Sequence, residues 1–317
     1  MFSESIENPE QEFAFADAAA AAGCKGYIGG YNISMEAIIE RVTGLGMYYW
    51  GAERGFDEAF KDNEYYLGGF LPVVSGSEIE GNGDFLLGYE LASALAKSGS
   101  KHVAYCNGGA DFGIPMFTDR QAGFVKGIED AAANGAEIVY DPENDCVSGW
   151  PGTDSFAAKM GQVLSGDYDA VAVSFSGVEV WYQPILDAGK IDTMKIAGVG
   201  AVTDSLTGIA STGAIAAIVY ECEEVIFGNA VPMIINAVNG HADMMKGEEG
   251  YFAIETNRWT VTDAQVMESI LAKHQAGEYY VTAEDMLQFF PEFNENASKQ
   301  EMNDFYCSMT LDNAIAK

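Results

Sequence analysis

Polar and apolar positions along this chain follow two periods that take turns. "FADAAAAAGCKGYIGG", "LASALAKSGSKHVAYCNGG", "IEDAAANGAEIVYD" and "ILDAGKIDTMKIAGVG" each begin as an amphipathic, mostly Ala-rich helix, stop at a glycine, pass through a few polar residues and end in a short apolar run. A glycine just past a helix takes the left-handed conformation without a Cβ penalty, so the chain can turn straight into a strand. The runs "HVAYC", "YDAVAVSF" and "MKIAGVG" are almost continuously apolar rather than alternating. Both of their faces are therefore buried, which predicts a parallel sheet covered by helices.

This alternation persists from about residue 10 to about residue 261, more units than one compact lobe holds, and predicts an α/β chain with two doubly wound parallel sheets. "LPVVSGSEIEGNGD" (71–84), rich in Gly, Ser and acids, is a candidate crossover between the lobes. From about residue 262 the pattern changes to polar helices and loops, read as a C-terminal appendage wrapping the body.

One stretch poses a question of its own. "MFTDRQAGFVKGIEDAAANGAEIVYD" (116–141) predicts a helix opening at Thr118 or Asp119, a stop at Gly135 and a buried strand. Arg120 would then sit in the first helical turn, where the macrodipole disfavours a cation. Cations are scarce, 16 Lys plus Arg against 48 Asp plus Glu, so a specific partner is expected nearby.

The net charge of −32 repels phosphate backbones and anionic bilayers, which makes nucleic acid and membrane surfaces poor partners. Hydrophobic content of 48% with 20% charged residues suits a folded chain rather than a disordered one. No apolar run is long enough to span a bilayer, and "MFSESIENPEQEF" lacks the basic and apolar segments of an export signal. Cys24, Cys106, Cys146, Cys222 and Cys307 are odd in number and scattered, against a disulfide framework or a zinc site.

Several motifs carry little. His102, His241 and His274 are far apart, without ligand spacing or a triad signature, so no metal is expected. "DFG" (111–113) lacks every other kinase element, and "DPENDC" (141–146) lacks the glycine and closing glutamate of a calcium loop and reads as a solvated turn. "YIGGYN" and "YCNGGADFG" follow strands but do not form a dinucleotide fingerprint, so no cofactor is expected.

"TDRQAGF" followed by "GAEIV" resembles the R-x-x-G-F helix start and following strand of type I periplasmic binding proteins of the ribose and galactose class, and of LacI-type ligand-binding cores. "NPEQEFAFADAAAAAGCKGYIGG", "GLGMYYWGAERG", "YDAVAVSFSGVEVWYQPILDAGK", "MKIAGVGAVTD" and "GAIAAIVYECEEVIFGNAV" are similar to further family segments in the same order. In that family the arginine projects into a cleft between two lobes and holds sugar hydroxyls.

The resemblance implies two doubly wound lobes joined by three hinge crossings, near 74–82, 220–222 and 255–257. Residues 1–78 plus 221–255 would form the N-terminal lobe, 79–220 plus 256–268 the C-terminal lobe, and 269–317 the appendage. It implies an extracytoplasmic solute-binding protein, not an enzyme, monomeric, capturing a sugar-like ligand and delivering it to an ABC transporter permease. The site residues carried over are Glu53, Arg54 and Arg120, with Trp150 where the family often offers a stacking aromatic. Three family polar positions fall on Phe175, Gly200 and Tyr220, so the ligand is expected to have an apolar or flat face. Arg120→Ala is expected to lose ligand-dependent stabilisation while its unliganded melt stays close to the parent's. The family's first strand and helix have no counterpart before "SIENPEQEF", which implies a preceding segment with any export or lipoprotein signal. The alternative function is the ligand-sensing core of a LacI-type transcription regulator, and a less favoured one is an enzyme of the same fold class.

Overall fold

A computed structural model describes residues 1–317 except 4, 5, 7, 30–33, 52–57, 75–78, 113, 221 and 317, and except the side chains of Glu58 and Phe112. In chain order the first elements are α1 (Pro9–Ala21), β1 (Gly26–Gly29), α2 (Met35–Gly44), β2 (Tyr48–Gly51), β3 (Tyr66–Val74), α3 (Gly83–Lys97), β4 (Val103–Gly108), α4 (Pro115–Ala133) and β5 (Cys146–Ser148). They continue as α5 (Asp154–Ser165), β6 (Ala170–Ser176), α6 (Val178–Asp187), β7 (Lys195–Gly200), α7 (Asp204–Ala210) and β8 (Ile215–Tyr220). The remainder comprises α8 (Glu223–Ile226), α9 (Ala230–Asn236), α10 (Ala242–Lys246), β9 (Phe252–Val261), α11 (Ala264–Gln275), α12 (Ala283–Leu287), α13 (Lys299–Ser308) and α14 (Leu311–Ile315).

The chain divides into two compact units. The first comprises Met1–Pro72, Glu223–Asn257 and Tyr280–Met309, and the second Val73–Cys222, Arg258–Tyr279 and Thr310–Lys317. The stretch after residue 268, expected to wrap the body, contributes to both units. Its part in the first unit, Tyr280–Met309, carries large apolar side chains that are buried, Phe289, Met302 and Tyr306 among them.

In the first unit, β1, β2 and β3 are parallel neighbours. Tyr27, Tyr49 and Tyr66 occupy matching register positions, and their rings stack at 6.1 Å from strand to strand, which gives the sheet an aromatic ladder against α1 and α2. In the second unit the strand order is β5-β4-β6-β7-β8-β9, parallel throughout except for β9, which runs antiparallel to β8. Its core joins Leu87, Leu91 and Leu95 of α3 and Phe124 and Ile128 of α4 to Val103 and Tyr105 of β4.

The glycine stops are observed at each repeated unit. Gly23, Gly99, Gly135 and Gly189 have φ of 86°, 83°, 93° and 70°. The next residue's N–H reaches back to the helix each time, as in Cys24 to Ala19, Ser100 to Leu95, Ala136 to Ala131 and Lys190 to Ile185. This is the Schellman closure, which satisfies carbonyls left over at the helix end.

Two local expectations are corrected. Helix α4 opens at Pro115, not at Thr118 or Asp119, because proline has no N–H to leave unsatisfied and its φ suits the first helical position. "GAEIV" forms no strand: it makes one isolated bridge, Val139 with His102, and the strand beside β4 is instead the three-residue β5. The polar turn before β5 consumes its own carboxylates, since Asp141 accepts from the Glu143 N–H and Asn144 Nδ2 while Asp145 accepts from the Asp141 N–H.

Candidate functional site

The C-terminal ends of parallel strands, where the backbone leaves the sheet, are where open α/β sheets bind ligands. In the second unit this rim is made by Gly108 of β4, Ser148 of β5, Phe175 and Ser176 of β6, Gly200 of β7 and Tyr220 of β8. Four of the predicted site residues, Trp150, Phe175, Gly200 and Tyr220, therefore lie on or just after one edge. Glu53 and Arg54 lie outside the described residues.

Arg120 is only 3% exposed and sits in the second turn of α4, where the macrodipole has faded. Its partners are protein groups. Nε donates to Asp84 Oδ1 at 3.0 Å and Nη1 to the Ser174 carbonyl at 2.6 Å, one residue before Phe175. Arg258, also buried, brings its Nη1 to 4.0 Å from the same Asp84 oxygen and donates to the Gly83 carbonyl at 3.3 Å. The specific partner expected beside Arg120 is thus a carboxylate, joined by a strand carbonyl.

What brings Arg120 to this place is the contact of α3 with α4. A Cβ at Gly88 would stand 1.8 Å from the Arg120 carbonyl oxygen, and one at Gly123 would stand 1.8 Å from that of Phe85. Backbone therefore touches backbone, and the first turn of α3 delivers Asp84 to the guanidinium. Asn82 caps that turn by accepting from the Phe85 N–H.

Above the guanidinium lies an aromatic group. Arg120 Cζ is 5.5 Å from the centre of the Phe117 ring, one turn earlier on α4. Phe117 meets Trp150 edge-on at 5.2 Å and 77°, and Trp150 meets Phe175 at 5.3 Å and 59°. Trp150 is 37% exposed, whereas Trp50, Trp181 and Trp259 are fully buried. A large indole held by two rings and still open to solvent offers an apolar face to a ligand. Phe117 belongs to this candidate cluster, and sequence reasoning misses it. Its spacing of three from Arg120 is the available signal, and it is lost once the helix start is placed at Thr118.

Gly200 has φ of 146°, and a Cβ there would come within 2.9 Å of Ser176 Oγ, so glycine keeps the rim open between β6 and β7. Tyr220 is 2% exposed, and its ring meets Trp259 at 5.6 Å and His274 at 6.4 Å. It serves as a core aromatic at the end of β8. Behind the rim, burial pushes the Tyr105 hydroxyl and the Cys106 thiol well above their ordinary pKa values, so both stay protonated and uncharged.

No protein-family profile matches the chain, and no curated protein matches it in sequence. Solved structures do. An ABC transporter solute-binding protein of Bacillus halodurans with bound myo-inositol superposes with a TM-score of 0.60 at 17% identity, over 86% of each chain. An ABC transporter periplasmic solute-binding protein of Actinobacillus succinogenes with bound D-allose gives 0.61 at 13% identity, over 84% of this chain and 86% of that one. A transcription regulator of Lactococcus lactis gives 0.52 at 17%, over 75% and 79%. The chain has the type I periplasmic binding protein fold. In this binding-protein fold the similarity covers most of each chain, so it reaches both units. Among the described residues no helix is long and apolar enough to cross a membrane.

Proposed function

We propose that this chain is an extracytoplasmic solute-binding protein that captures a sugar or polyol by one apolar face and hands it to an ABC importer. The observation that carries the reading is Trp150, an open indole wedged between Phe117 and Phe175 at the strand ends, with a buried guanidinium over the Phe117 ring. Cyclic sugars and polyols present a ring face of C–H groups that suits an indole, with hydroxyls at the edge for polar neighbours. The myo-inositol and D-allose held by structures of the same fold belong to this chemical class.

The regulator of the same fold keeps a second reading in view, a ligand-sensing core that controls transcription. The net charge of −32 speaks against it, because approach to DNA is steered by basic surfaces.

The test is native mass spectrometry of the protein as purified, followed by thermal melts with myo-inositol, D-allose and a panel of related sugars and polyols. A co-purified or added compound of this class should raise the melting temperature as its concentration rises. Absence of any bound or stabilising member across the panel would sink the reading. Chemical conversion of a bound compound during incubation would favour an enzyme instead.

A further inference from the structure

The open indole comes just after a three-residue edge strand, and so short a strand has little sheet of its own to hold the loop beyond it. The structure supplies a tie from the neighbouring strand. Between β4 and β5, Cys106 pairs with Val147 and Gly108 with Ser148, so Asn107 is an extra residue with no partner opposite it. The register shifts by one residue there, as it does at a β-bulge, the device by which a strand re-aims one side chain.

The side chain so aimed is 1% exposed and spans two loops. Asn107 Oδ1 accepts from the Gly149 N–H at 3.3 Å, and Nδ2 donates to Asp111 Oδ1 at 3.0 Å. The orientation of this amide is forced by its neighbours. A backbone N–H can only donate and a carboxylate can only accept, so the oxygen must face Gly149 and the nitrogen Asp111. Gly149, with φ of 81°, is the residue immediately before Trp150. On the other side of Trp150 its carbonyl accepts from the Thr153 N–H and from Oγ1, and Thr153 caps α5. The indole is thus suspended between a tethered glycine and a capped helix.

We infer that Asn107 is a positioning residue: through Gly149 it sets the orientation of Trp150 against Phe117 and Phe175, and so decides whether the rim presents a flat apolar face. The inference takes its functional meaning from the ligand site proposed above, but its structural content can be measured without ligand.

Acrylamide quenching of tryptophan fluorescence reads Trp150 selectively, because the other three indoles are fully buried. Trp150→Phe identifies the quenchable share of the signal. In Asn107→Ala both ties are lost, and the quenching constant of the Trp150 share should at least double, with emission moving to longer wavelength. Asp111→Ala removes one anchor from an exposed side chain and should give a smaller rise in the same direction while folding as the parent does. A variant that folds, even with a lower melt, and quenches like the parent would overturn the inference, because a merely structural asparagine would lower stability without moving the indole. Failure of every sugar to bind while quenching rises as expected would leave Asn107 positioning Trp150 and remove only the ligand reading.

Discussion

Arg120 Nε lies 3.0 Å from Asp84 Oδ1, with the guanidinium buried and the carboxylate nearly so. Removing the guanidinium would leave Asp84 in a poorly solvated place with, among the described residues, Arg258 at 4.0 Å as its other cation. Breaking a buried pair from one side typically costs about 3–5 kcal/mol. Arg120→Ala should therefore lower the urea midpoint substantially without ligand, contrary to the expectation from sequence that its unliganded melt would stay close to the parent's. A midpoint equal to the parent's would mean that the pair contributes nothing to the fold.

The backbone contact between α3 and α4 yields a sharper test. Gly88→Ala and Gly123→Ala each insert a methyl where a carbonyl oxygen stands 1.8 Å away, and backbone cannot swing aside as a side chain can. Overpacking commonly costs about 1–3 kcal/mol, and these sites should lie at the upper end or beyond. Gly161→Ala on α5, where a Cβ would meet nothing within 4 Å, is the control and should be neutral or slightly stabilising in the same urea titration.

Trp150→Ala should leave a folded protein, losing about 1–2 kcal/mol through its contacts with Phe117 and Phe175. Its melting temperature should no longer rise with any sugar or polyol that stabilises the parent. Isothermal calorimetry gives the direct reading, and an unchanged affinity in the variant would take Trp150 out of the site.

Tyr168 makes a prediction about alkali. Its hydroxyl donates to Asp145 Oδ1 at 2.7 Å, and burial, with Asp145 beside it, pushes its pKa up to about 12. Because the folded value exceeds the ordinary value of 10.0, the contribution to stability is complete below about pH 10 and is lost as pH rises through about 12. The difference in stability between the parent and Tyr168→Phe should therefore shrink over that window in pH-dependent unfolding. A difference that stays constant from neutral pH upward would show that the proton on Tyr168 is not linked to folding.

Much of this molecule is legible in its residues, and the failures have physical causes. The repeated helix, glycine and strand units are readable because left-handed glycines follow from chain sterics alone, and Gly23, Gly99, Gly135 and Gly189 all behave so. Strand β5 is not readable because three residues carry no period, and "GAEIV" competes with a stronger apolar pattern that the sheet does not use. Trp150 stands out as a large aromatic among Ser, Gly and Pro, where core packing gives little reason for it. Asp84, Ser174 and Arg258 do not stand out as partners of Arg120. They come together from α3, β6 and β9, and no local spacing announces a contact of that range.

The partition of the last segments has a consequence for synthesis. Tyr306 and Met302 are fully buried, and Asn236 Nδ2 donates to the Phe289 carbonyl at 2.8 Å, all within a unit that began at the other end of the chain. A nascent polypeptide that has emerged from the ribosome only as far as residue 279 still lacks part of that interior. Each unit draws on residues beyond 257, so neither can reach its final burial until that stretch has also left the ribosome.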